Sequence, residues 1–271
     1  MTPPNDDSRT RRPRAIAINV GVNTRLPGFR APVRPDGSFE YVPIPEREPT
    51  LPAADLERPV PTYADLDCPL SLPDDLADRR VHVDPALPDH AAYDGPEYTY
   101  GDEHAVKAGP LSALEPADHL LFYATLDSAA GVDPPSLGGS PPPAGVRPAW
   151  MAPDWGAYLV ATFRVVCAVT GERYHDLESD ERRRFRDNAH LKREAFDARV
   201  LVLGDPDDSR LLDAAVPLST PSAGSEANWL VTDLSNDSGG GPWWRRPLRF
   251  GPDATERLLA TVEDGPAATL R

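Results

Sequence analysis

The chain has 271 residues, 28 of them basic and 43 acidic, for a formal net charge of −15. That length suffices for one large domain with a real core. The charge argues against a protein that grips duplex nucleic acid through a broad basic face. Aspartate (29) outnumbers glutamate (14), and lysine occurs only as Lys107 and Lys192. Such an acidic, Lys-poor surface suits a halophilic protein, since concentrated salt screens charges beyond a few Å. The expected result is a higher melting temperature in multi-molar KCl than at about 0.1 M, where the screening length is ~10 Å. Melts at the two salt levels check it, and an equal or higher value at low salt removes the reading.

No apolar run approaches the ~20 residues of a membrane span, so no membrane partner is expected. The first residues lack a signal-peptide pattern, and a cytoplasmic location is the expectation. Cys68 and Cys167 form no CxxC pair, and Cys167, inside FRVVCAV, reads as a small buried hydrophobe.

Thirty-three prolines predict short helices, because each interior proline removes a hydrogen bond. Residues 1–13 are polar and predict a disordered tail before a single domain over 14–271. AIAINVGV (15–22) predicts a buried strand. Pro35-Asp36-Gly37 is a turn signal, followed by a strand over 38–44 that stops at Pro45. RVHVD (80–84) predicts a short strand ended by Pro85, and 86–104 a long polar loop. DHLLFYATL (118–126) and YLVATFRVVCAV (158–169) predict central strands. The stretch 128–148 reads as a low-complexity insertion outside the folded core. Helices are predicted over 176–189, with Ser179 as N-cap, and over 252–262; further strands fall at 198–205 and 217–220. The fold class is α+β, a strand-dominated mixed sheet or a partly closed barrel of the PUA kind, with few short helices.

No GxGxxG, GxxxxGK[ST], HExxH or GxSxG is present. Four polar clusters remain. Asn19, Asn23 and Arg34 could donate hydrogen bonds to a polar ligand, or merely finish a strand edge and a turn. His82 and Asp84, two apart in a strand, would share a face and suit a general base with its orienting acid. A structural His–Asp pair is the competing reading. Two donors are too few to claim a metal, and no cofactor is indicated. Tyr98, Tyr100, Asp102 and His104 interleave rings with acceptors, as a surface that stacks on a base would, or as a loop tied by tyrosine hydroxyls. Asn188 and His190 follow a predicted helix, where the amide could cap it or reach a ligand.

The motif order PDGSFEYVPIPE (35–46), TYADL (62–66), VHVDPAL (81–87), YTYGDEHAVKAGPL (98–111), DHLLFY (118–123), YLVATFRV (158–165) and NAHLKREAFDARVLVLG (188–204) resembles the nucleotide modification associated domain family, type three. The resemblance covers about residues 15–235. It implies a DNA base hypermodification context, with a nucleotide or nucleic-acid base and other proteins of a DNA-modification system as partners. Positions matching its motifs are Asp36, Tyr63, Asp65, His82, Asp84, Gly101 and Asn188. No catalytic set comes with it.

Two readings follow. In the first, His82 and Asp84 are catalytic, and Asn19, Asp36, Tyr63, Asp65, Tyr100, His104, Asn188 and His190 bind a base or nucleotide. In the second, the DHLLFY and YLVATFRV hairpin belongs to a PUA-like or EVE-like module that reads a modified base without turning it over. A buried imidazole–carboxylate pair facing the pocket that Asn188 borders favours the enzyme; an aromatic cage with only backbone donors favours the reader. A purely structural or interaction protein is a third reading.

Overall fold

A computed structural model describes residues 11–66, 70, 72–90, 93, 95–128 and 147–270. Residues 1–10 of the expected tail and 129–146 of the expected insertion lie outside the described residues. Arg11 and Arg12, by contrast, form ion pairs, with Glu115 and Asp118 and with Asp253 and Glu256.

The first strand, β1 (Ala15–Asn19), forms where alternation predicts it. A two-residue β2 (Pro32–Val33) follows, and then β3 (Thr99–Asp102) and helix α1 (Ala105–Ser112). The long central pair is β4 (His119–Ser128) and β5 (Trp155–Thr170). Short helices α2 (Gly171–Tyr174) and α3 (Ser179–Phe185) lead to β6 (Val200–Gly204) and β7 (Arg210–Pro217). The chain closes with α4 (Trp229–Thr232), β8 (Leu248–Phe250) and α5 (Pro252–Asp264). All eight strands join one open mixed sheet, ordered β3-β6-β5-β4-β1-β8, with β2 beside β4 and β7 beside β5. The pairing of β1 with β4 is parallel, and that of β4 with β5 antiparallel. The fold is thus α+β, an open sheet rather than a closed barrel.

The core has two faces, as strand alternation requires. Ile16, Ile18, Leu120 and Phe122 face a layer of loops drawn from the first half of the chain. Ala15, Ala17, Leu121 and Tyr123 face Trp243, Leu258 and Val262 of the C-terminal layer. Near-continuous apolar runs mark β4 and β5 because both faces are covered. At 16 residues β5 is long enough for its first half to pair with β7 and its second with β6, with register shifts at Leu159/Ala161 and Val165/Cys167. Among the described residues, no helix is long and apolar enough to cross a membrane.

Several predicted elements differ. Residues 38–44 form no regular strand; Pro43 and Pro45 have no N–H for a ladder, and the Val42 and Ile44 carbonyls accept instead from Val22 N and His82 N. Residues 80–84 make only isolated bridges, at Arg80 and Val81. The expected loop 86–104 ends in β3, all four residues of which are buried. The helix over 176–189 shrinks to α3, whose N-cap is Glu178 in a capping box with Glu181, Ser179 being its first residue. The short strand at 217–220 is instead the end of β7, at Pro217.

Candidate active site

A cleft of about 470 Å³ opens on the loop-covered face of the sheet. It is bounded by the end of β1, the 44–48 segment, the 82–84 turn, β3 with the start of α1, and the 190–193 segment. The lining includes four apolar residues, Val20, Leu26, Ile44 and Pro45. Beside Ile44, whose carbonyl accepts from His82 N, one wall carries His82, Asp84 and His190, all buried.

His82 and Asp84 reach this wall through a turn, not through strand alternation. Asp84 N donates to His82 O at 2.9 Å, closing a three-residue turn that precedes the cis Asp84–Pro85 peptide. His82 Nε2 lies 3.7 Å from Asp84 Oδ2. The orienting acid of His82 is a different residue: its Nδ1 sits 2.7 Å from Glu46 Oε2. The other oxygen of Glu46 accepts from the N–H groups of Arg47 and Glu48 at 2.8 and 2.9 Å. Burial would raise the Glu46 carboxyl pKa, but His82, Arg193 and the backbone donors hold it well below the usual carboxylate range.

His190 arrives on a 3-10 turn capped by Asn188, whose side-chain oxygen accepts from His190 N at 3.1 Å. Its Nδ1 lies 2.7 Å from Asp197 Oδ1, and its Nε2 lies 3.4 Å from Asp84 Oδ2. Burial pulls the His190 pKa down, but Asp197 and Asp84 outweigh burial and lift it to about 9. The two imidazoles meet edge to face, with ring centres 5.0 Å apart. A carboxylate can only accept, so each Nδ1 carries a proton toward its carboxylate, and each Nε2 is aimed at Asp84.

Asp84 is itself fixed from behind. Gly101 N donates to both of its oxygens at 3.0 Å, and Asn188 Nδ2 approaches Oδ1 at 3.3 Å. Only glycine fits at 101: an added Cβ would stand 2.5 Å from His190 Cδ2 and 2.9 Å from Asn188 Oδ1. Arg193 spans the base of the wall, bonding Glu46 at 3.0 Å, Asp197 at 2.5 Å, and Glu103. Burial works against its charge, and these three acids outweigh it.

Of the residues expected at a site, Asn19, His82, Asp84, Tyr100, His104 and His190 line the cleft. Asn188 stands just behind, through Asp84. Tyr100 is tied by its hydroxyl to Asp102 at 2.7 Å, and His104 is exposed at the rim. Arg34 of the first cluster is buried against Glu40, away from the cleft. Three others turn out to be local braces. Asp36 accepts from Ser38 within its turn, Tyr63 donates to Pro43 O at 2.6 Å, and Asp65 caps the 62–65 turn through Thr62. The sequence reading missed Glu46, Arg193 and Asp197. Glu46 ends the PDGSFEYVPIPE motif, a signal that was available; nothing in the local sequence singles out Arg193 or Asp197.

Residues 14–260 match the family described as nucleotide modification associated domain 3. No curated protein and no solved structure matches the chain.

Proposed function

Because the chain belongs to the nucleotide modification associated domain 3 family, we propose that it is an enzyme acting on a nucleobase or nucleotide held in this cleft. The observation that carries the reading is the convergence of His82, Asp84 and His190 on one wall of a cleft whose lining also includes apolar residues. A planar ring packs on Val20, Leu26, Ile44 and Pro45 while its edge meets the imidazoles and the carboxylate. The volume lies in the range of small-molecule sites, ~300–1,000 Å³, and admits one nucleotide. A base within a duplex would have to be flipped out to reach it. Arg47 and Lys107, the latter 3.1 Å from Asp102, supply cationic groups for a phosphate. In this reading the partners are the base or nucleotide and the other proteins of a modification system.

The reader alternative is less well supported. Apart from the histidines, Tyr100 is the sole aromatic residue among the described lining, and its hydroxyl is taken by Asp102. That is no cage.

The test is mass spectrometry of nucleosides from DNA, RNA and the nucleotide pool of cells with and without the gene. The expected result is a modified nucleoside that disappears on deletion, returns with the wild-type gene, and stays absent with His82→Ala or Asp84→Asn. Unchanged profiles across all five strains would sink the reading.

A further inference from the structure

We infer that His82 Nε2, His190 Nε2 and Asp84 Oδ2 form the protein face of a mononuclear divalent transition-metal site that opens into the cleft. The inference rests on the reading of this cleft as an active site, and adds the cofactor class. Its starting point is a convergence of donor atoms. Both Nδ1 atoms face carboxylates, Glu46 for His82 and Asp197 for His190. Each Nε2 is thereby aimed at Asp84 Oδ2, at 3.7 and 3.4 Å. An ion bound there takes the place of any proton at Nε2, as metal coordination by imidazole does.

The spacing fits a metal ion. With donors at ~2.1 Å from the ion, neighbouring donors stand about 3.0 Å apart at right angles and about 3.4 Å apart in a tetrahedron. Asp84 Oδ2 stands 3.7 and 3.4 Å from the two Nε2 atoms, and the three residues' ligand atoms all lie within 4.8 Å of one another, so the set closes on an ion by side-chain adjustment. Two imidazoles with one carboxylate suit first-row divalent ions, and three protein donors leave positions open for water or substrate. Those positions face the cleft, because all three residues line it.

The surroundings are those of a ligand set. A metal-binding imidazole commonly donates its other N–H to a carboxylate, which fixes the tautomer and strengthens the donor; both rings here do so. Asp84 is held through Gly101 N and Asn188, so Oδ2 needs no further orientation. Glu103, His190 and Asp197 make a second grouping of donor atoms, but Arg193 already supplies its cation. One ion per chain follows.

The experiment is titration of chelator-treated full-length protein with Co²⁺, Zn²⁺, Fe²⁺ (anaerobically) and Mn²⁺. Calorimetry reads the stoichiometry, and visible absorption reads the Co²⁺ ligand field. One equivalent should bind, with a cobalt spectrum of nitrogen and oxygen ligation. His190→Ala should weaken binding at least about 100-fold, and Glu46→Gln by about 10–100-fold, as loss of an outer partner does. Circular dichroism establishes that each variant is folded; if His190→Ala is not, Glu46→Gln decides. Wild-type protein that binds none of the four ions stoichiometrically overturns the inference, as does binding undiminished in a folded His190→Ala or in Glu46→Gln. Loss of the metal site leaves the proposed base chemistry standing, since the nucleoside profiles are read independently. Stoichiometric metal with unchanged nucleoside profiles sinks the proposed function alone.

Discussion

Gly101→Ala is expected to lower turnover at least a hundredfold while leaving the chain folded. The new methyl would occupy space already filled by His190 and Asn188, at 2.5 and 2.9 Å from the nearest atoms of each. Neither neighbour can retreat cheaply. Asn188 is fully buried and holds both Asp84 and Thr99, and His190 is wedged between Asp84 and Asp197. The backbone N–H of residue 101 would shift as well, and with it the two bonds to Asp84. Overpacking of this kind costs about 1–3 kcal/mol. A displacement of about 1 Å among reacting groups costs ~100-fold in rate, so the loss falls more heavily on chemistry than on stability. Steady-state rates and thermal melts on one preparation separate the two. Wild-type turnover in a folded Gly101→Ala protein would remove His190 and Asp84 from the reaction.

Asp118→Ala is expected to cost about 3 kcal/mol of stability at neutral pH, the range for breaking a buried ion pair. The side chain is wholly buried where β1 and β4 begin. It accepts from Arg14 N at 2.8 Å, Glu115 N at 3.0 Å and the Arg11 guanidinium at 2.7 Å. Burial pushes its carboxyl up, but these donors prevail and hold its pKa below the ordinary value. A carboxyl with a depressed folded-state pKa stabilises fully above its unfolded pKa of about 3.9 and loses that contribution as the pH falls through the folded value. The gap in melting temperature between wild type and variant should therefore be full at pH 7 and shrink below about pH 4. A gap that is constant with pH would mean that the charge contributes nothing.

Much of the sheet was legible because its central strands are apolar on both faces. AIAIN, HLLFYATL, the run from Tyr158 to Val169, and VLVLG announce themselves. The edges did not. TYGD at 99–102 reads as a polar loop, yet its threonine, tyrosine and aspartate are buried because they are hydrogen-bonded or packed beneath the cleft. Helix α1 carries Gly109 and Pro110, two residues that argue against a helix. In RLLDAAVP, Asp213 breaks the apolar run of β7.

The site divides along similar lines. The spacing of His82 and Asp84 marks them as a candidate pair, and a turn rather than a strand brings them together. Asn188 and His190 stand out as an amide and an imidazole at an element end. Arg193 does not, since a charged residue among other charges looks like a solvent-facing one, and Glu46 is marked only as the last residue of PDGSFEYVPIPE. Only the tertiary fold places Arg193 against an acid 147 positions earlier. Asp36, Tyr63 and Asp65 show the converse: motif residues whose side chains close local turns and a buried joint.

Among the described residues, the cleft takes nothing from beyond Arg193, whereas Trp243, Leu258 and Val262 fill the opposite side of the sheet. The sheet is therefore a partition. Substitutions in the rear layer are free to change how firmly the fold is held without touching a residue of the cleft. In front of the sheet the same freedom is absent, because Gly101, Asn188 and Glu46 answer to their neighbours in the cleft as well as to stability.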